Sequence, residues 1–112
     1  MNYIKVNLLS KFLGSIIIPT YNSIDCLSKA IDSILTQNLQ NFELIIMDNL
    51  STDGSLSLIE KYKKIDNRVR VDSEKDDGIY DAMNKGIRIA KGEWIYFMGA
   101  DDELFDRNVL RL

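Results

Sequence analysis

The chain has 112 residues, 46% hydrophobic and 28% charged, the balance of one soluble globular domain. A formal net charge of -3 and the absence of histidine exclude a histidine general base and histidine metal ligands, and argue against a basic nucleic-acid-binding surface. The single cysteine, Cys26, has no partner for an internal disulfide, which fits a reducing compartment; on a predicted helix it reads as a packing residue, not a nucleophile.

In chain order, "MNYIKVNLLSKFLG" carries lysines and apolar residues but no long apolar h-region and no cleavage pattern. Residues 1–13 are expected to be an N-terminal leader, open between a short amphipathic helix, an added strand and a loose arm, and residues 14–112 to be the domain. No apolar run reaches the length of about 18 residues that a membrane span needs. "SIIIP" (15–19) is β-branched, stopped by proline, and reads as a buried strand. "SIDCLSKAIDSILTQ" has Leu27, Ile31, Ile34 and Leu35 at helical spacing, with Ser23 as the expected N-cap. "FELIIMD" (42–48) is a second strand, and "STDGSLSLIEKYKKI" a second helix with Leu58, Ile59, Tyr62 and Ile65 on one side. "RVRVDS" (68–73) alternates as a third strand. "YDAMNKGIRIA" is a third helix, presenting Met83, Ile87 and Ala90, with Lys91-Gly92 as its stop. "EWIYFM" (93–98) is a fourth strand, and "DRNVLRL" reads as the start of another helix.

Strands alternating with helices predict an α/β fold: a Rossmann-like three-layer αβα sandwich with a mostly parallel sheet, strands ordered three-two-one-four. In such sheets ligands bind beyond the carboxyl ends of the strands. All four strands end in polar residues: Pro19-Thr20-Tyr21-Asn22, Asp48-Asn49, Asp72 to Asp77, and Asp101-Asp102. If the strands are parallel, these clusters meet along one edge.

Two neighbouring carboxylates at a strand end suit a hard divalent cation, magnesium or manganese, bridging to substrate phosphates. "ADDE" by itself reads better as a solvated turn; its place at the end of a buried strand, facing other acids, reverses that preference. Asp48 can accept hydrogen bonds from a nucleobase or ribose, or cap the following helix, where Ser51 and Asp53 compete with it. Asp53 is the better cap and Asp48 the better ligand contact. Lys85 can meet a phosphate, although a helical lysine is more often solvated. Asn84 has poor helix propensity, which suggests a packing or ligand hydrogen bond. There is no Walker sequence, no G-x-G-x-x-G after the first strand, and no nucleophile–histidine pair.

Taken together, "SIIIPTYN", "FELIIMDNLSTDGS" and "DGIYDAMNKGIRIAKGEWIYFMGADD" resemble the nucleotide-sugar-binding half of family 2 glycosyltransferases, which have the GT-A fold. The likeness runs from about residue 14 to residue 110, and "GIYDAMNKG" resembles the subgroup that builds bacterial surface polysaccharides. The resemblance implies that Pro19, Thr20 and Tyr21 form the turn that contacts the nucleotide and that Asp48 binds the base. It implies that Asp81, Ala82 and Asn84 line the nucleotide pocket. Asp101 would face ribose, phosphate and metal, and Asp102 would ligate the metal. The chain departs from the pattern in having Gly99 where many members have aspartate, and Asn49 where a second aspartate is frequent.

Family enzymes are longer, with the acceptor site and the general-base aspartate in a second half, so a fragment carrying no catalytic base is expected here. The implied activity is inverting transfer of a sugar from a nucleotide-sugar, first of all a uridine diphosphate sugar, to a saccharide or lipid-linked acceptor. The competing readings are a module that holds a nucleotide-sugar without turnover and an assembly remnant pairing through an open sheet edge. The implied setting is the cytoplasm, with peripheral contact of a longer parent at the inner membrane face.

Overall fold

The computed structural model describes residues 3–5 and 12–110. Five strands form one sheet: β1 (Tyr3–Lys5), β2 (Phe12–Thr20), β3 (Phe42–Asp48), β4 (Val69–Ser73) and β5 (Gly92–Phe97), in the order β1-β5-β2-β3-β4. The four longer strands are parallel, in the expected order. β1 adds an antiparallel edge, with Ile4 opposite Ile95. Of the readings left open for the N-terminal segment, residues 3–5 thus take the added strand, and β2 already begins at Phe12.

Every residue of β3 is buried, as a central strand covered on both faces requires. Successive side chains of a strand point to opposite faces, and the core divides accordingly. Ile16, Ile18, Leu44 and Ile46 pack against α1 (Leu27–Leu35) and α2 (Ser55–Ile65). Ile17, Ile45, Met47 and Ile95 pack with Ala82 and Ile87 of α3 (Ile79–Ile89). The result is the three-layer αβα sandwich. Gly86 lets α3 approach the sheet: a Cβ there would lie 2.8 Å from Ile17 Cγ2.

Two boundaries differ from expectation. α1 begins at Leu27 and Ser23 does not cap it. The Ser23 carbonyl instead accepts the amides of Cys26 and Leu27 in a turn, and its hydroxyl donates to the Tyr21 carbonyl. Residues 106–110 form turns, not a helix. Gln37, just beyond α1, donates to the Asp106 carbonyl and accepts the Leu110 amide. Those two groups would be hydrogen-bond partners in an α-helix; here a side-chain amide stands between them.

Candidate functional site

Parallel register puts Thr20, Asp48 and Ser73 opposite one another, so three strands end in one polar row. Asp48 is the centre of that row and is 1% exposed. Its carboxylate is already well occupied: Ser51 donates from its backbone amide (3.0 Å) and its hydroxyl, and Ser73 donates from its hydroxyl at 2.8 Å. A carboxylate has about four lone-pair sites, so roughly one remains for a ligand. Thr20 is buried, with its hydroxyl directed to the Ile18 carbonyl at 3.5 Å. Tyr21, next in the chain, is 60% exposed at the rim.

Asp53 is indeed bound to the start of α2: it accepts the Ser55 amide and hydroxyl, while its other oxygen accepts the Ile24 amide at 3.0 Å. The Ser55 hydroxyl bond comes first among the causes that hold Asp53 below the ordinary carboxylate range. Gly54, with φ of 98°, supplies the left-handed residue at the N-cap position.

The loop from β4 to α3 is laced by ions. Lys85 Nζ lies 2.9 Å from Glu74 and 3.3 Å from Asp81, and donates to the Lys75 carbonyl at 2.7 Å. Lys85 therefore ties α3 to the end of β4 and is not a free cation awaiting phosphate. Asp81 also accepts the Asp77 amide at 2.9 Å, the first of the causes that lower its pKa; Lys85 is first among those that lower Glu74. Burial, then the Glu74 charge, pushes Asp72 up. Asn84 lies exposed on α3. Ala82, expected to line the pocket, is 1% exposed and packs with Ile17 and Ile45.

β5 leads into the acidic turn. Met98 donates to the Ile17 carbonyl, the Asp102 amide to the Gly99 carbonyl at 3.1 Å, and the Gly99 amide to Asp102 Oδ2 at 3.2 Å. A Cβ at Gly99 would lie 2.9 Å from Asp102 Oδ2 and 3.0 Å from Asp101 Oδ1. Both carboxylates thus converge over the space that a side chain at position 99 would take. Among the described residues no group of three or more acidic, cysteine or histidine side chains is placed to hold a metal ion. Two converging carboxylates supply hard oxygen donors of the kind a divalent cation takes.

A cleft of about 240 Å³ opens between this turn and the first turns of α3, lined by Pro19, Ile79, Met83, Phe97 and Asp101 among others. It unites Pro19 and Asp101 from the expected residues and adds the apolar side chains of Ile79 and Phe97, which lie within the quoted motif but were not singled out as site residues. Ser51, weighed only as a helix cap, and Ser73 also enter the site as partners of Asp48. Ser73 was foreshadowed only by its place at the end of a strand.

The family model for glycosyl transferase family 2 matches residues 15–112. The chain belongs to this family. It is 40% identical to the PGL/p-HBAD biosynthesis glycosyltransferase of Mycobacterium tuberculosis over 97 residues, which is 86% of this chain and 38% of the relative. It is 37% identical to the putative teichuronic acid biosynthesis glycosyltransferase TuaG of Bacillus subtilis, over 83% of this chain and 37% of that protein. Among solved structures, S. aureus TarS 1-349 in complex with UDP-GlcNAc matches with a TM-score of 0.76 and 30% identity, covering 82% of this chain and 27% of that one. The mannosyltransferase PcManGT of Pyrobaculum calidifontis, in complex with GDP-Man and Mn2+, matches with a TM-score of 0.78 and 26% identity, covering 84% of this chain and 29% of that one. The family 2 chain described here thus spans well under half of these relatives.

Proposed function

We propose that this chain is the donor-binding part of a glycosyltransferase that moves a sugar from a nucleoside diphosphate to an acceptor hydroxyl. The observation that carries the reading is the convergence of Asp101 and Asp102 over Gly99, on a cleft shared with Pro19 at the carboxyl edge of the parallel sheet. A neighbouring TarS structure holds UDP-GlcNAc and another neighbour holds GDP-Man with Mn2+, which supports a nucleotide-sugar and a divalent cation for this cleft. We assign a uridine diphosphate sugar as the first donor to test, and an acceptor in surface polysaccharide or glycolipid synthesis. A cytoplasmic setting is part of the same proposal, since Cys26 is a free thiol.

In this reading Asp101 and Asp102 would hold the cation, which would supply neutralisation of the charge developing on the departing diphosphate. Asp48 keeps one acceptor position for an imide or ribose donor, while Ser51 and Ser73 fix its orientation. Tyr21 offers an exposed ring at the rim, and the apolar cleft walls exclude water from one side of the bound diphosphate. Inverting transfer requires a base to deprotonate the acceptor for in-line attack. That base is assigned to the part of the relatives that lies outside the matched segment.

The test is titration of the full-length protein with uridine and guanosine diphosphate sugars, in manganese and in chelator, alongside a transfer assay with acceptor glycans. Manganese-dependent binding with transfer supports the proposal. Binding without transfer to any acceptor would favour a non-catalytic nucleotide-sugar module, and no binding in either condition would refute both.

A further inference from the structure

Gln37 is one of the largest fully buried side chains in the molecule, at 1% exposure, and it is polar. Its amide nitrogen donates to the Ser33 carbonyl (3.1 Å) and to the Asp106 carbonyl, and its oxygen accepts the Leu110 amide at 3.0 Å. Both of its N–H groups are thereby used on backbone, one of them on a segment about seventy positions away. The neighbouring residues act the same way. Ser33 Oγ accepts the Leu104 amide at 2.9 Å, and the Asn38 amide donates to the Arg107 carbonyl at 2.8 Å. Leu104, Val109 and Leu110 pack on the core beside them. The acidic turn is therefore fastened at both ends: by Met98 to the Ile17 carbonyl before it, and by the end of α1 after it.

We infer that Gln37 is a positioning residue for the carboxylates of Asp101 and Asp102. The inference rests on the donor-site reading above. Within the turn the Gly99 amide holds only Asp102 Oδ2, at 3.2 Å, so the placement of the two like charges also depends on what fixes the turn's ends. Geometry within about 0.5 Å is what a metal pair needs, and rigid supports provide it. Gln37 provides support by replacing the hydrogen bond between Leu110 and Asp106 with two bonds of its own. Residues 104–110 then lie against α1 instead of coiling away from it.

Gln37→Met keeps the length and removes the side-chain bonds; Ser33→Ala removes the anchor at Leu104, two residues from Asp102, together with the local bond of Ser33 Oγ to the Ala30 carbonyl. In the full-length protein, titration with uridine diphosphate in manganese should show affinity lower by roughly tenfold in Gln37→Met, the low end for outer partners of metal ligands. Ser33→Ala should move in the same direction by less. Affinity in chelator should match wild type in both, a split that loss of stability alone would not produce. If both folded variants bind as wild type does in manganese, Gln37 merely packs the segment and the inference fails. If Gln37→Met does not fold, Ser33→Ala decides by the same comparison. Wild type that binds no nucleotide in manganese would instead overturn the donor-site reading on which this rests.

Discussion

Ser73, the last residue of β4, donates a 2.8 Å hydrogen bond to Asp48, the last residue of β3, and the two stand opposite one another in the parallel register. One strand end thus orients the carboxylate of the next. Removing a partner from a buried charged group costs about 1–3 kcal/mol or more. Ser73→Ala should therefore lower unfolding free energy by about that amount, read from urea denaturation. An unchanged midpoint would mean that water replaces the hydroxyl at no cost.

The glycine in the acidic turn separates folding from binding. A Cβ at Gly99 would press on Asp102 Oδ2 and Asp101 Oδ1, the movable ends of two side chains. Gly99→Ala should leave the thermal midpoint nearly unchanged and weaken manganese-dependent nucleotide binding roughly tenfold, about 1.4 kcal/mol. Asp102→Asn should weaken it at least as much, and Glu103→Gln little. Wild-type affinity in Asp102→Asn would identify the acids as a solvated turn.

Gly86 carries the opposite prediction. A methyl group there meets Ile17 Cγ2 at 2.8 Å and Cδ1 at 3.0 Å inside the core. Gly86→Ala should destabilise by about 1–3 kcal/mol through overpacking. Ile17→Val, which removes Cδ1, should recover part of the loss in the double variant, so that the two effects are not additive.

The Lys85 cluster gives a pH signature. Glu74 and Asp81 are both lowered from their ordinary values of 4.5 and 3.8. A lowered carboxylate adds stability above its unfolded pKa and loses it as pH falls through the folded value. Asp72, which is raised, works in the opposite sense. Lys85→Met removes the first cause of the Glu74 shift but leaves the Asp77 amide on Asp81. Stability should then fall less steeply below pH 4.5 in the variant than in wild type, as measured by thermal melts across acid pH. Superimposable slopes would contradict the assignment of Lys85.

The strand order was legible because β2 to β5 are short apolar runs separated by amphipathic helices, and the edge where they end was legible because each run stops at polar residues. The places of Asp48, Asp101 and Asp102 just at or beyond strand ends were legible for the same reason. What escaped detection depends on contacts distant in sequence. Ser23 looked like a cap but spends its hydroxyl on Tyr21. Glu43, fully buried in β3, is tolerated there because Ser15, Arg70 and the Lys91 amide surround its carboxylate, contacts no local pattern indicated. Residues 106–110 have helical periodicity, and only Gln37 reveals why they do not coil.

The antiparallel pairing of β1 with β5 gives the chain a timing. During synthesis β2, β3 and β4 leave the ribosome in order and can align among themselves, but β2 keeps one flank bare until residues 92–97 arrive. The N-terminal strand waits equally long for the same partner. Before β5 emerges, a nascent chain thus leaves one flank of β2 open to unwanted strand pairing. The arrival of β5 closes both gaps at once, and the acidic turn follows immediately behind it. Asp101 and Asp102 therefore leave the ribosome only after the stretch that pairs the second flank of β2.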